Sequence, residues 1–260
     1  MITKTIPIVL VFLLIATPQA DAFWGFVSKT TYKITKITKN TKALPDDEII
    51  KLSKLSDEAK GASKIGKKLD DLDLPNDVLE DTYMRIAIHQ KKVTRKEAEG
   101  MFNRLSDIPG FRTTLRKVIG NNPKGTAGHL NELRIADTAY QHRFTVIQIG
   151  EKFDDGVKQA PTDIDIVLKK GAKYFAIEAK NNAPTTYIPM DKYRADLDTL
   201  VIFKNKHPNA LIPIFSITDE PVDPLYLQKL IHEAEIRNVQ LIFGSPQEQV
   251  VKIKLLDDIL

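Results

Sequence analysis

Pro161-Thr162-Asp163-Ile164-Asp165-Ile166-Val167-Leu168, then Lys169-Lys170-Gly171-Ala172-Lys173, then Tyr174-Phe175-Ala176-Ile177-Glu178-Ala179-Lys180 reads as one β-hairpin. Polar and apolar residues alternate on both sides of the glycine, and side chains two apart share a face of a strand. Asp163, Asp165 and Val167 therefore point one way, and Ile164, Ile166 and Leu168 the other. Glu178 and Lys180 share a face, with Ile177 and Ala179 opposite. A two-residue loop at Gly171-Ala172, glycine first, suits a type II′ turn. That turn pairs Lys170 with Lys173, which sets Asp165 across from Glu178 and Asp163 across from Lys180. Directly opposed side chains have Cβ atoms roughly 4.5–5.5 Å apart. Two carboxylates that close repel unless a proton or a cation lies between them, and a hard divalent cation with oxygen ligands fits. A bare Glu-x-Lys triplet carries little: Glu58-Ala59-Lys60 repeats it in a stretch that reads as helix. The hairpin copy differs in its upstream aspartates, its turn glycine and its matching register.

The flanking segments extend the pattern into an α/β domain. Gly128 to Tyr140 carries Leu130, Leu133, Ile135, Ala136, Ala139 and Tyr140 at helical spacing. Phe144 to Phe153 is rich in β-branched and aromatic residues and predicts a strand. Asp191 to Lys206 predicts a helix with Tyr193, Leu197, Leu200, Val201 and Phe203 inward. Ala210 to Ile217 is a continuous apolar run, hence a buried strand. A further helix is expected over Pro224–Asn238 and a last core strand over Val239–Phe243.

This set of residues resembles the PD-(D/E)xK nuclease superfamily, the restriction-endonuclease-like fold, over roughly residues 125–245. Asp165 matches the motif aspartate, and Glu178 and Lys180 match the E-x-K. The literal Pro-Asp dipeptide is replaced by Pro161-Thr162-Asp163-Ile164-Asp165, which leaves Asp163 as the other candidate; the register favours Asp165. The resemblance implies a core of helix, three-stranded mixed sheet, helix and strand. It also implies metal-assisted hydrolysis of phosphodiesters. Asp165, Glu178 and the backbone carbonyl of Ala179 would bind Mg²⁺ or Mn²⁺. Lys180 would orient or help deprotonate the attacking water. Glu132 matches an acidic residue of the first core helix and would add a ligand, which could serve a second ion. His129, one turn away, could also reach the site or simply cap the helix. Similar domains occur in secreted and contact-dependent bacterial toxins, some cutting DNA and some tRNA, and such a toxin would need an immunity protein.

Other chemistries are poorly served. The chain has no cysteine, so thiol nucleophiles, disulfides and Cys-based zinc sites are excluded. Its five histidines show no metal-binding spacing. No phosphate-binding glycine loop or serine nucleophile motif is present.

The segments before the nuclease-like region read differently. Met1 to Lys4 is a short basic stretch, Ile6 to Ala16 an apolar run of 11 residues, and Ala20-Asp21-Ala22 a small-x-small site. This predicts a signal peptide over 1–22 cleaved after Ala22, and a periplasmic or extracellular chain with no stable membrane insertion. Residues 23–44 form a basic arm with Phe23, Trp24 and Phe26. A mainly helical region over 45–124 follows, with helices over Asn76–Gln90, Thr94–Leu105 and Arg112–Ile119. Thr94-Arg95-Lys96-Glu97 has capping-box form. Turn signals over Gly120–Gly125 set the expected boundary before a nuclease domain spanning 125–260.

Charge divides along the same line. Phe23–Ala127 holds 21 Lys and Arg against 14 Asp and Glu, a net +7; Gly128–Leu260 holds 16 against 19, a net −3. An acidic catalytic half suits a metal, and the basic half could contact phosphates through Arg112, Arg116, Lys117 and Lys124. Scattered lysines on a solvated helical surface would give the same count. The reading is an exported metal-dependent endonuclease acting most readily on DNA. The alternatives are a toxin-type RNase or tRNase of the same fold, and a non-catalytic secreted module that binds nucleic acid or protein.

Overall fold

A computed structural model describes residues 75–259, apart from 107, 121, 154–161 and 208–210, together with Asp47, Ile50 and Leu69. The chain divides into two units, Met1–Leu44 and Pro45–Leu260. The expected signal peptide and basic arm belong to the first and lie outside the described residues, as do Glu58-Ala59-Lys60 and Pro161. Among the described residues no helix is long and apolar enough to cross a membrane.

Four helices come first: α1 (Asn76–His89), α2 (Arg95–Leu105), α3 (Phe111–Gly120) and α4 (Pro123–Gln141). Then come β1 (Thr145–Phe153), β2 (Thr162–Lys170), β3 (Lys173–Lys180), α5 (Met190–Lys206), β4 (Leu211–Ile217), α6 (Pro224–Glu235), β5 (Gln240–Phe243) and α7 (Pro246–Ile259). The strands form one mixed sheet in the order β1-β2-β3-β4-β5. β1, β2 and β3 are antiparallel; the mixing enters with β4 and β5, which run parallel to β3 through the α5 and α6 crossovers.

The hairpin has the expected register. Lys170 pairs with Lys173 and Ile166 with Ile177, and Gly171 takes φ +59, the conformation a side chain resists. The alternation, however, does not separate a dry face from a wet one. Ile164, Ile166, Leu168 and Val167 are all buried, as are Phe175, Ala176 and Ile177. These strands lie mid-sheet and are covered on both sides, so alternation here marks where chemistry can sit among buried neighbours. Val167, Ala176, Phe215 and Ile217 share a core cluster with Tyr193, Leu197, Leu200 and Phe203 of α5 and with Leu230 and Ala234 of α6. Burying each such side chain contributes about 1.5–3 kcal/mol.

The cut expected near residue 124 falls inside the second unit. α3 packs on both α1 and α4, and α2 packs on α4. Leu115, Val118 and Ile119 of α3 are fully buried. Thr126 Oγ1 donates to the Val118 carbonyl at 3.0 Å, and Lys92 Nζ donates to the carbonyls of Val118 and Ile119. The turn residues make a tight corner, with the Asn122 side chain capping α4 by accepting from Gly125 N at 2.9 Å. The Thr94 cap forms as expected, accepting from Glu97 N at 3.2 Å. No apolar period marks the chain after residue 243, yet α7 begins at a reciprocal Ser245–Glu248 cap and buries Val250 and Ile253.

Candidate active site

Pairing between β2 and β3 runs from the turn only as far as Ile166 and Ile177. One step further, where Asp165 and Glu178 would face each other, the ladder gives way to a side chain. Asp165 Oδ2 accepts the backbone N–H of Ala179 at 2.8 Å. In a strand the N–H and C=O of one residue point to the same side. The Ala179 carbonyl therefore also faces the opening between the strands. On its other edge β3 is held firmly to β4: Glu178 pairs with Phe215 and Lys180 with Ile217. The Lys180 carbonyl accepts from Thr218 N at 3.0 Å and Thr218 Oγ1 at 3.2 Å. The end of β3 that carries Glu178 and Lys180 is thus fixed.

Glu178 and Lys180 project to the same side, as their spacing requires, and their carboxylate and ammonium are in direct contact. The Lys180 Nζ also lies 2.9 Å from Asp196 Oδ2 on α5 and 5.7 Å from the centre of the Phe215 ring. The side chains of Glu178, Lys180 and Asp196 are only 11%, 17% and 17% exposed, so these charges are poorly solvated.

Burial pushes the Glu178 carboxyl up to about 7; Lys180 opposes the rise, while Asp196 and Asp163 add to it. Asp165 is raised well above the usual carboxylate range, first by burial and then by the charges of Glu178 and Glu132. Burial disfavours the Lys180 ammonium, but Glu178, Asp165 and Asp196 outweigh it and raise its pKa. Three carboxylates face one ammonium, a sum of −2 when all are ionised. Two protons or one divalent cation would balance that sum.

Glu132 is 7% exposed on α4 and raises the Asp165 pKa by its charge, but its own carboxylate is hydrogen-bonded to His129 Nδ1 at 2.8 Å. Among the described residues no three His, Asp or Glu side chains are gathered as a ready-made metal cage. Asp165 feels the charges of both Glu178 and Glu132, while Glu132 shares its carboxylate with His129 of its own helix. Asp165, Glu178 and the Ala179 backbone form an all-oxygen donor set. Magnesium keeps several waters and is commonly held by one or two carboxylates plus substrate phosphate. The donor set fits that ion and does not call for zinc.

Asp163 does not meet Lys180. It turns to Lys117 of α3, whose Nζ lies 3.6 Å away. That contact brings the basic helix α3 beside the strand that carries Asp165. Of the four residues expected to touch phosphates, Lys117 is thus drawn to the site. Arg112 and Arg116 lie partly exposed on the same helix, and Lys124 is exposed in the first turn of α4. Sequence reasoning missed Asp196. Its signal is a carboxylate one residue before Leu197 and three after Tyr193, on the border of a helix stripe that is otherwise apolar.

No family model matches the chain, and no curated protein or solved structure matches it.

Proposed function

We propose that the chain is an exported, metal-dependent endonuclease that hydrolyses phosphodiesters, DNA first among them, on a restriction-endonuclease-like core. The observation that carries this reading is the break in the β2–β3 ladder. There Asp165, the Ala179 backbone, Glu178 and Lys180 meet beside Asp196, and the three carboxylates exceed the one ammonium by two negative charges when all are ionised. The order α4, β1–β3, α5, β4 is consistent with such a core. The composition of residues 1–22 supports export.

In this reading Asp165, Glu178 and the Ala179 carbonyl would hold Mg²⁺ or Mn²⁺. A bound ion of this kind lowers the pKa of water and offsets charge on the phosphoryl oxygens. The Ala179 N–H fixes one oxygen of Asp165 and leaves the other for ligation. Lys180 keeps its proton among these carboxylates, so its part is to donate hydrogen bonds. It orients the attacking water and stabilises the charge that develops on the phosphoryl group. Glu132 adds negative potential behind Asp165 while His129 holds its carboxylate. The α3 cations beside β2 supply phosphate contacts that position the substrate without reading its sequence.

The test is cleavage of supercoiled plasmid, linear DNA and total RNA in EDTA, Mg²⁺ or Mn²⁺, beside Glu178→Ala and Lys180→Ala. Metal-dependent cutting reduced about a hundredfold or more in both variants is expected. Cutting of RNA alone would turn the reading to a toxin-type RNase. A folded wild type that cuts nothing would replace the enzyme with a binding module.

A further inference from the structure

The Lys180 ammonium has two carboxylate partners, and only one of them belongs to the motif that suggests a nuclease. Glu178 is its neighbour on β3; Asp196 reaches it from α5 at 2.9 Å. The two partners are not equivalent. Glu178 stands beside Asp165 and the Ala179 backbone, where a cation would bind. Asp196 approaches from the helix, and its Oδ2 is buried without a well-aligned hydrogen bond from any group. It lies within ion-pair distance of Nζ but off the hydrogen-bonding direction, as a second partner would while Glu178 holds the first. Breaking a buried ion pair without replacement is strongly unfavourable, because one charge is left unpaired in poor solvent. A cation that takes Glu178 would impose that cost on Lys180 unless another carboxylate were ready.

We propose that Asp196 is a positioning residue: it takes over the Lys180 ammonium when Glu178 turns to a divalent cation, so that cation and lysine occupy the site together. This rests on the metal-dependent reading above. Asp196 acts through Lys180 and is not itself a ligand. The charge count agrees, since Asp165, Glu178 and Asp196 against Lys180 leave −2, the complement of one divalent cation. A helix residue serves this purpose well. α5 is held by Tyr193, Leu197, Leu200 and Phe203 in the core, so Asp196 stays in place while the exchange occurs on β3.

The experiment is calorimetric titration of Mn²⁺ into the full chain without nucleic acid. It compares wild type, Asp196→Asn, Lys180→Met and the double variant, with thermal melting as the check on folding. Asp196→Asn is expected to weaken Mn²⁺ binding about tenfold in the wild type, since Lys180 then competes for Glu178. In the Lys180→Met background the same change is expected to alter affinity less than about twofold, as for two groups that act through one another. The double variant leaves Glu178 and Asp165 with no ammonium to compete for them, so the step from Lys180→Met to the double variant reads Asp196 by itself; a tenfold loss in that step would make Asp196 a direct ligand even if Asp196→Asn alone fails to fold. Equal losses in both backgrounds would make Asp196 a direct ligand and overturn the proposal. So would an unchanged affinity in folded Asp196→Asn. Absence of Mn²⁺ binding in the wild type would instead remove the metal reading, and this inference with it.

Discussion

Glu178 shows how much chemistry one position can hold. Its carboxyl rises from an ordinary 4.5 to about 7 because burial and neighbouring carboxylates outweigh the lysine beside it. The sign of the consequence follows. A carboxyl raised in the folded state favours the protonated fold, so its contribution to the cation-free chain is full below about 4.5. It is lost as pH climbs through about 7. A cation needs the ionised form, so it competes with the proton across the same window. Mn²⁺ should therefore raise the melting temperature more at about pH 8 than at about pH 6. Melting curves with and without Mn²⁺ at both pH values measure it; equal shifts would show that no raised carboxylate is a ligand. At this scale the hairpin residues were legible because strand periodicity and one turn glycine place them without further information. Asp196 was not, because its partner is Lys180 on a different element, and helical spacing alone names no partner.

At the scale of elements, most boundaries follow from local signals: Thr94 and Asn122 cap their helices with their own side chains, and Gly171 sets the hairpin. What local signals leave open is which turns join elements and which separate domains. The Pro109-Gly110 turn is a case. Pro109 O accepts from Ile149 N at 2.9 Å, docking the α2–α3 connection onto β1. Gly110 sits at φ +88, and a Cβ there would lie 1.7 Å from Ile149 O. Gly110→Ala should thus cost about 2–4 kcal/mol, combining backbone strain with a collision against backbone. Gly171 also has positive φ but open space around its missing Cβ, and Gly171→Ala should cost nearer about 1 kcal/mol. Urea unfolding of the two variants tests the contrast, and equal losses would mean that the docking of this turn carries no weight. The Gly120–Gly125 turn carries the same composition signal. Its residues are those of a linker, but the buried side chains of α3 on one side and α4 on the other need each other.

Over the whole molecule, the division of charge acquires a geometry. The basic α3 reaches the acidic strand through Lys117 and Asp163, so basic side chains of that helix and the carboxylates of β2 share one region. The α/β class and the element order were legible from helical spacing in the helices, alternation in the hairpin and the unbroken apolar run of β4. The cover of β2 and β3 on both faces was not, since burial of a strand depends on what packs over it, and α7 passed unnoticed for lack of a long apolar run. The metal-dependent reading puts a divalent cation at Asp165 and Glu178. Anomalous diffraction from crystals grown in Mn²⁺ is its decisive test. A manganese peak beside these two carboxylates, with the Lys180 ammonium turned to Asp196, is expected. A peak elsewhere, or none at a Mn²⁺ concentration that supports cleavage, would contradict it.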